Sequence, residues 1–187
     1  AVASATGPLK EPPCSLHPFI ALRVSRYVPK PMPRFTYQYL FEEGSHPTAP
    51  PLLLLHGTGG NEHDLLRMGR NISPGSALLS PRGDVNEGGA LRFFARLAEG
   101  VFDPVEITRR THALADFVLA ATRHHGVDPR QLIAVGFSNG ANIAATLLQL
   151  RPETLAGGML FRAMVVLDQP AAPGSLAGRR VLLANGT

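Results

Sequence analysis

The pentapeptide Gly-Phe-Ser-Asn-Gly at 136–140 is the sequence feature that most limits the possible folds. It directly follows the apolar run at 131–135. A G-x-S-x-G sequence between a strand and a helix forms a nucleophile elbow, a sharp turn that exposes its serine at the end of the strand. Gly136 and Gly140 leave room there, since the helix doubles back closely over the strand. The residues that follow repeat at helical spacing up to Pro152, namely Ala141, Ala144, Ala145 and Leu148. The pattern predicts a strand, a strained turn at Ser138 and a helix.

A second motif follows another apolar run. Four leucines at 52–55 are typical of a buried parallel strand, and the loop His-Gly-Thr-Gly-Gly at 56–60 comes next. An oxyanion hole takes one backbone N–H from such a loop and one from the residue after the nucleophile, which assigns the donors to Thr58 and Asn139. The glycines that let this loop turn are Gly57, Gly59 and Gly60. A phosphate-binding loop is the alternative, and the missing P-loop lysine disfavours it.

Four segments in this order resemble the α/β-hydrolases of the phospholipase/carboxylesterase family, in particular the small bacterial carboxylesterases: 52–66, 79–84, 92–102 and 133–145. The resemblance extends from about Phe35 to the end of the chain. It implies an α/β-hydrolase fold with a mostly parallel, doubly wound sheet. It also implies cleavage of carboxylic esters, with thioesters as a further option, through an acyl-enzyme on Ser138. No metal or organic cofactor is implied, and the expected partner is a small-molecule ester.

The remaining pattern alternates strands and helices, as in a parallel sheet. We expect an antiparallel first strand over 35–41, and further strands at 77–79, 160–167 and 181–184. Asp103, Pro104 and Glu106 predict a capped helix that ends at Gly126. Asn61 and Asp64 predict a shorter capped helix after the Gly-rich loop.

Several loop residues are candidates for the wall of a pocket. Ligands bind outside the carboxyl ends of parallel strands. We therefore expect a pocket to be bordered by the loop that follows the strand at 77–79 and by the first residue of the 56–60 loop. The candidates are His56, Arg82, Gly83 and Asp84. A solvated turn is an equally good interpretation of 82–84, and a surface position is the expectation for His63.

The order of catalytic residues raises a difficulty. The triad of this fold runs serine, then acid, then histidine along the chain. After Ser138 the only carboxylates are Glu153 and Asp168, and no histidine follows. Asp168 precedes Gln169 and Pro170 and is a weak candidate acid. We therefore expect the acid and histidine beyond Thr187, a hydrolase domain truncated at its C-terminus, and little activity from the 187 residues alone.

Alternatives to an esterase remain open at this point. One is a protein of this fold that binds a ligand without catalysis, or an inactive fragment. Another is a cofactor-free haloperoxidase or a lyase on the same fold. An aspartate soon after Thr187 and a later Gly-His would favour the esterase.

Composition and charge limit the classes of function that remain. The net charge of +4 is carried by residues 1–34, which also hold seven of the 17 prolines and are predicted to form an extended arm before a domain at 35–187. The domain itself is neutral, which disfavours nucleic-acid binding. A single cysteine, Cys14, excludes a disulfide framework, and we expect a cytoplasmic protein without a membrane span. The sequence does not indicate an oligomeric state.

Overall fold

The structure is a computed structural model that describes residues 35–186, so the arm predicted for residues 1–34 lies outside the described residues. The described residues form eight strands and three α-helices. The strands are β1 (Tyr39–Glu42), β2 (Leu52–Leu55), β3 (Leu78–Pro81), β4 (Val85–Glu87), β5 (Ala90–Arg92), β6 (Ile133–Phe137), β7 (Gly157–Phe161) and β8 (Arg180–Ala184). The helices are α1 (Leu66–Ile72), α2 (Pro104–His125) and α3 (Asn139–Leu150).

Six strands form one sheet in the order β1-β3-β2-β6-β7-β8, and only β1 runs antiparallel to its neighbour. All four leucines of β2 are buried, as predicted for a central parallel strand. Leu53 and Leu55 join the larger apolar cluster on one face, while Leu52 and Leu54 join a second cluster on the other. The sheet is therefore covered on both faces, which confirms the predicted doubly wound arrangement.

Helix α2 agrees closely with the prediction. The side chain of Asp103 accepts a hydrogen bond from the N–H of Val105, and Gly126 ends the helix at a φ of 70°. Its apolar stripe is buried at Ile107, Leu114, Phe117, Val118 and Ala121. Glu106 does not act as expected, because its carboxylate binds Arg109 and Arg110 of the same helix.

Three predicted boundaries are wrong. The first strand, expected over 35–41, begins only at Tyr39. The strand expected at 160–167 ends at Phe161, because Arg162 adopts a left-handed φ of 56° that a strand cannot continue through. The helix expected from Asn61 begins only at Leu66. The Asn61 side chain instead accepts from the N–H of His63 and closes a turn ahead of the helix.

Candidate active site

Ser138 occupies the turn between β6 and α3. Its φ of 51° and ψ of −114° lie outside the regions that L-residues favour, so the backbone is strained there as predicted. The Ser138 N–H donates to the carbonyl of Phe161 over 2.8 Å. This bond fixes the serine at the carboxyl end of the central strands β6 and β7.

The elbow glycines lie where the backbone leaves no room for a side chain. A Cβ at Gly136 would lie 2.7 Å from the Cα of Ala141. A Cβ at Gly140 would collide with the carbonyl of Leu55 and lie 2.5 Å from the carbonyl oxygen of His56. The helix can therefore begin directly against β2 and β6 only because both positions are glycine.

The 56–60 loop lies beside this elbow, because β2 pairs with β6 with Leu55 opposite Gly136. Its own hydrogen bonds use the N–H groups of Gly59, which donates to Leu91, and Gly60, which donates to Gly57. A Cβ at Gly57 would press on the Phe137 ring at 2.9 Å. Across residues 35–186, the N–H groups of Thr58 and Asn139 donate to no protein acceptor.

Thr58, Ser138 and Asn139 border one cleft of about 790 Å³. The other lining residues among those described are Arg92, Arg96, Glu99, Gly100, Phe102, Phe137, Asn142, Arg162, Ala163, Met164, Asn185 and Gly186. The structure thus brings the predicted serine and both predicted donors together. No histidine lines the cleft within this part of the chain, and Asp168 does not line it either.

Arg92 is the buried cation of the cleft, and it is not among the site residues predicted from the sequence. Only 4% of Arg92 is exposed, and it donates to the Thr58 hydroxyl over 2.6 Å and to the carbonyl of Phe94 over 3.0 Å. Glu87 lies 3.2 Å away as its ion-pair partner. Burial lowers the pKa of the Arg92 guanidinium, and the Glu87 carboxylate opposes that shift. A charged side chain is rarely buried, so no feature of the sequence places Arg92 inside the protein.

Two asparagines on the first turn of α3 tie the cleft walls to the elbow. The side-chain oxygen of Asn139 accepts from the N–H of Phe93, and that of Asn142 accepts from the N–H of Met164, both over 2.7 Å. The elbow helix therefore orients the two loops that face Ser138. The role of Asn142 could have been found from its position one turn after the serine.

His56 does not line the cleft, and it is held as a neutral imidazole. It is 1% exposed, its Nδ1 lies 2.7 Å from the Gly57 carbonyl, and its Nε2 accepts from the N–H of Gly83 over 2.9 Å. A carbonyl at Nδ1 and an N–H at Nε2 select the tautomer with its proton on Nδ1. Burial lowers the pKa of His56, which favours the neutral form of the imidazole.

The other predicted wall residues also lie outside the cleft lining. Arg82 forms an ion pair with the buried Glu62, with one bond of 2.6 Å, and this bond lowers the pKa of the Glu62 carboxyl. Asp84 pairs with Arg110 of α2, and Gly83 supports His56. Of the two interpretations of 82–84, the structure favours neither a pocket wall nor a free turn, since the segment anchors neighbouring loops.

The hairpin formed by β4 and β5 was not predicted, and it holds the 56–60 loop. Gly88 and Gly89 form its turn with φ of 60° and 94°, and Leu91 accepts the bond from Gly59. Two adjacent glycines between short extended segments are a recognised hairpin signal. That signal was available at 86–90 in the sequence.

Comparison with known proteins identifies the family. No family model matches the chain. The Bacillus subtilis (strain 168) protein named "Putative hydrolase MhqD" is 46% identical over 149 residues, which cover 80% of this chain and 73% of that protein. The chain belongs to the phospholipase/carboxylesterase family of α/β-hydrolases. Within this family it resembles bacterial carboxylesterases of known structure.

Two solved carboxylesterases superpose well on this family member. The enzyme from Bacillus cereus is 42% identical with a TM-score of 0.78, over 81% of this chain and 71% of that one. The enzyme from Mesorhizobium loti is 32% identical with a TM-score of 0.75, over 81% and 72%. The family resemblance and the fold class predicted from the sequence are confirmed.

Two further features concern ligands and membranes. Within residues 35–186 there is no group of three His, Cys, Asp or Glu side chains that could hold a metal ion. Across the same residues, every helix is too short or too polar to cross a membrane.

Proposed function

We propose that this hydrolase cleaves carboxylic esters by nucleophilic attack of the Ser138 hydroxyl on the acyl carbon. The main support for this proposal is the positive φ of Ser138, which lines the cleft. Strained backbone conformations of this kind cluster at active sites. An acyl-enzyme on Ser138 would then be hydrolysed by water. Thioesters share this chemistry and are the alternative substrates.

The N–H groups of Thr58 and Asn139 are the proposed oxyanion donors. Both residues line the cleft with Ser138, and neither N–H is used by a protein acceptor within residues 35–186. Donors that are fixed before the reaction stabilise the developing charge without reorganisation, and losing one typically costs roughly 100-fold to 1000-fold in kcat. The glycines around the loop and elbow allow this close approach.

The proposal assigns no general base. His56 is excluded from that role because both of its ring nitrogens are engaged away from the cleft. The domain at 35–187 is proposed as the unit that carries the site, and an inactive or purely ligand-binding form of the fold is the competing hypothesis.

Active-site labelling tests the proposal directly. In the protein from the complete reading frame, a fluorophosphonate probe should label Ser138, and 4-nitrophenyl acetate should be hydrolysed with release of nitrophenolate. The 187 residues alone, which hold no histidine after Ser138, should show little of either activity. Ser138→Ala should abolish both signals, whereas Ser45→Ala, which changes an exposed serine outside the cleft lining, should leave both intact. Labelling that persists in Ser138→Ala would overturn the assignment. Turnover without labelling would point to a different nucleophile.

A further inference from the structure

We propose that the cleft selects esters that carry a carboxylate, and that Arg162 is the cation that binds it. This inference rests on the proposed ester hydrolysis and names its substrate class. Arg162 lines the same cleft as Ser138. A carboxylate in the acid or the alcohol part of the ester would accept hydrogen bonds from the guanidinium, whose planar fork suits that geometry.

Arg162 is placed next to Ser138 by the register of the sheet. Phe137 of β6 pairs with Phe161 of β7, so the residues that follow them are Ser138 and Arg162. Neighbouring strands lie about 4.8 Å apart, so these two residues begin adjacent loops at the same sheet edge. Arg162 is exposed and lines the same cleft as Ser138, so its side chain can meet a ligand bound in that cleft.

The backbone of Arg162 is fixed in an unusual conformation. The N–H of Arg162 donates to the carbonyl of Ala184 over 2.9 Å. Its φ is 56°, and Ser138 is the only other non-glycine residue between 35 and 186 with a positive φ. A left-handed conformation is unfavourable for a long side chain without a local hydrogen bond. Such strain beside the nucleophile points to a function for the side chain rather than to a loop of arbitrary sequence.

Among residues 35–186, the charges that line the cleft provide Arg162 with no carboxylate partner. Arg92 and Arg96 both lie 3.2 Å from the same carboxylate, that of Glu87. Within the described residues no carboxylate lies within 4.0 Å of the Arg162 guanidinium, and Glu99 is the one acidic residue in the lining. When Glu87 is counted with Glu99, three arginines stand against two glutamates, and the cleft keeps a net positive charge that favours anionic substrates.

Matched ester pairs test this selection. For the acid part, mono-4-nitrophenyl glutarate is compared with 4-nitrophenyl pentanoate, which has the same length and leaving group. For the alcohol part, 4-acetoxybenzoate is compared with its methyl ester. The wild-type protein from the complete reading frame should prefer the anionic member of one pair by about tenfold in kcat/KM, the value of one charge-assisted hydrogen bond. The pair that shows the preference identifies the side of the ester that carries the charge.

Variants of Arg162 separate recognition from folding. Arg162→Gln should remove the preference while the neutral ester of the pair changes less than about twofold. Arg162→Lys should retain most of the preference. Arg180→Gln is the matched control, because Arg180 is exposed and begins β8 at the opposite end of the sheet. Equal rates for both members of both pairs, or a preference that survives Arg162→Gln, would overturn the inference.

A binding measurement keeps this inference distinct from the proposed function. Glutarate titrated by calorimetry at constant ionic strength should bind the wild-type chain, and Arg162→Gln should weaken that binding by about tenfold. If no ester is hydrolysed but this binding pattern holds, the esterase proposal fails and the carboxylate site stands. If neutral esters are hydrolysed but glutarate does not bind, only the carboxylate site fails.

Discussion

At the scale of single residues, Arg92 combines full charge with near-complete burial. Its hydrogen bond to the Thr58 hydroxyl and its ion pair with Glu87 connect the proposed oxyanion loop to the β4–β5 hairpin. Arg92→Met removes these contacts while keeping an unbranched side chain, so Thr58 should lose its fixed position. We expect kcat to fall about tenfold to 100-fold with little change in KM, since only transition-state stabilisation is affected.

Arg96→Met is the matched control for that prediction. Arg96 also pairs with Glu87 and lines the cleft, but it has no hydrogen bond to Thr58 among residues 35–186. Steady-state kinetics on a neutral ester should show a much smaller fall in kcat for this variant. An equal fall in kcat in the two variants would mean that the loss of a positive charge, and not the position of Thr58, causes the effect.

His56 gives a prediction on pH. Burial keeps the pKa of His56 below its usual value of about 6.5, so the folded chain holds a neutral imidazole. As the pH falls below that value, the unfolded chain takes up a proton that the folded chain does not, and the free energy of unfolding decreases. Protonation of Nε2 would also break its hydrogen bond with Gly83, because the new N–H of His56 would then face the N–H of Gly83.

Denaturant unfolding at several pH values measures this contribution. Between pH 7.5 and pH 5 the wild-type chain should lose more stability than His56→Gln, which cannot take up the proton. The other described histidines are present in both proteins, so the difference between the two slopes isolates His56. Parallel slopes would contradict the assignment of the neutral tautomer.

At the scale of elements, the elbow depends on the absence of a side chain at Gly140. Even a methyl group there would collide with the carbonyl of Leu55. Gly140→Ala should therefore shift α3 away from β2, with a loss of about 1–3 kcal/mol in stability and a large fall in esterase activity. Gly158→Ala in β7 is the control, because its Cβ would meet only the flexible end of Leu160 at 3.3 Å and other atoms at 3.7 Å. Thermal unfolding and ester hydrolysis of both variants test this.

The elements that could be predicted are those governed by local signals. The buried leucines of β2, the capped ends of α2 and the serine turn each follow from a short pattern with a direct physical cause. The contacts of Arg92, His56 and Arg82 could not be predicted, because each joins segments at least 20 residues apart. The end of β7 was missed because the left-handed conformation of Arg162 is imposed by neighbouring strands and has no residue signature.

At the scale of the whole molecule, β8 is an edge of the described sheet with apolar side chains exposed. Val181, Leu182 and Leu183 are 42%, 54% and 62% exposed, and β7 covers only one of the two edges of their strand. An apolar strand with a free edge is a template for pairing with another chain. We therefore expect the 187-residue polypeptide to self-associate as its concentration rises.

Light scattering after gel filtration over a range of concentrations measures this association. Leu182→Lys combined with Leu183→Lys places a charge on each face of β8 and should shift the polypeptide toward the monomer, because charged side chains protect strand edges from pairing. Ile72→Lys is the matched control, since Ile72 is an exposed apolar residue, 39% accessible, at the end of α1 and away from the sheet edge. An equal effect of the control would mean that general surface charge, and not the β8 edge, governs association. Because Asn185 and Gly186 follow β8 directly and line the cleft, association through this strand should also weaken the binding of glutarate in the cleft as concentration increases.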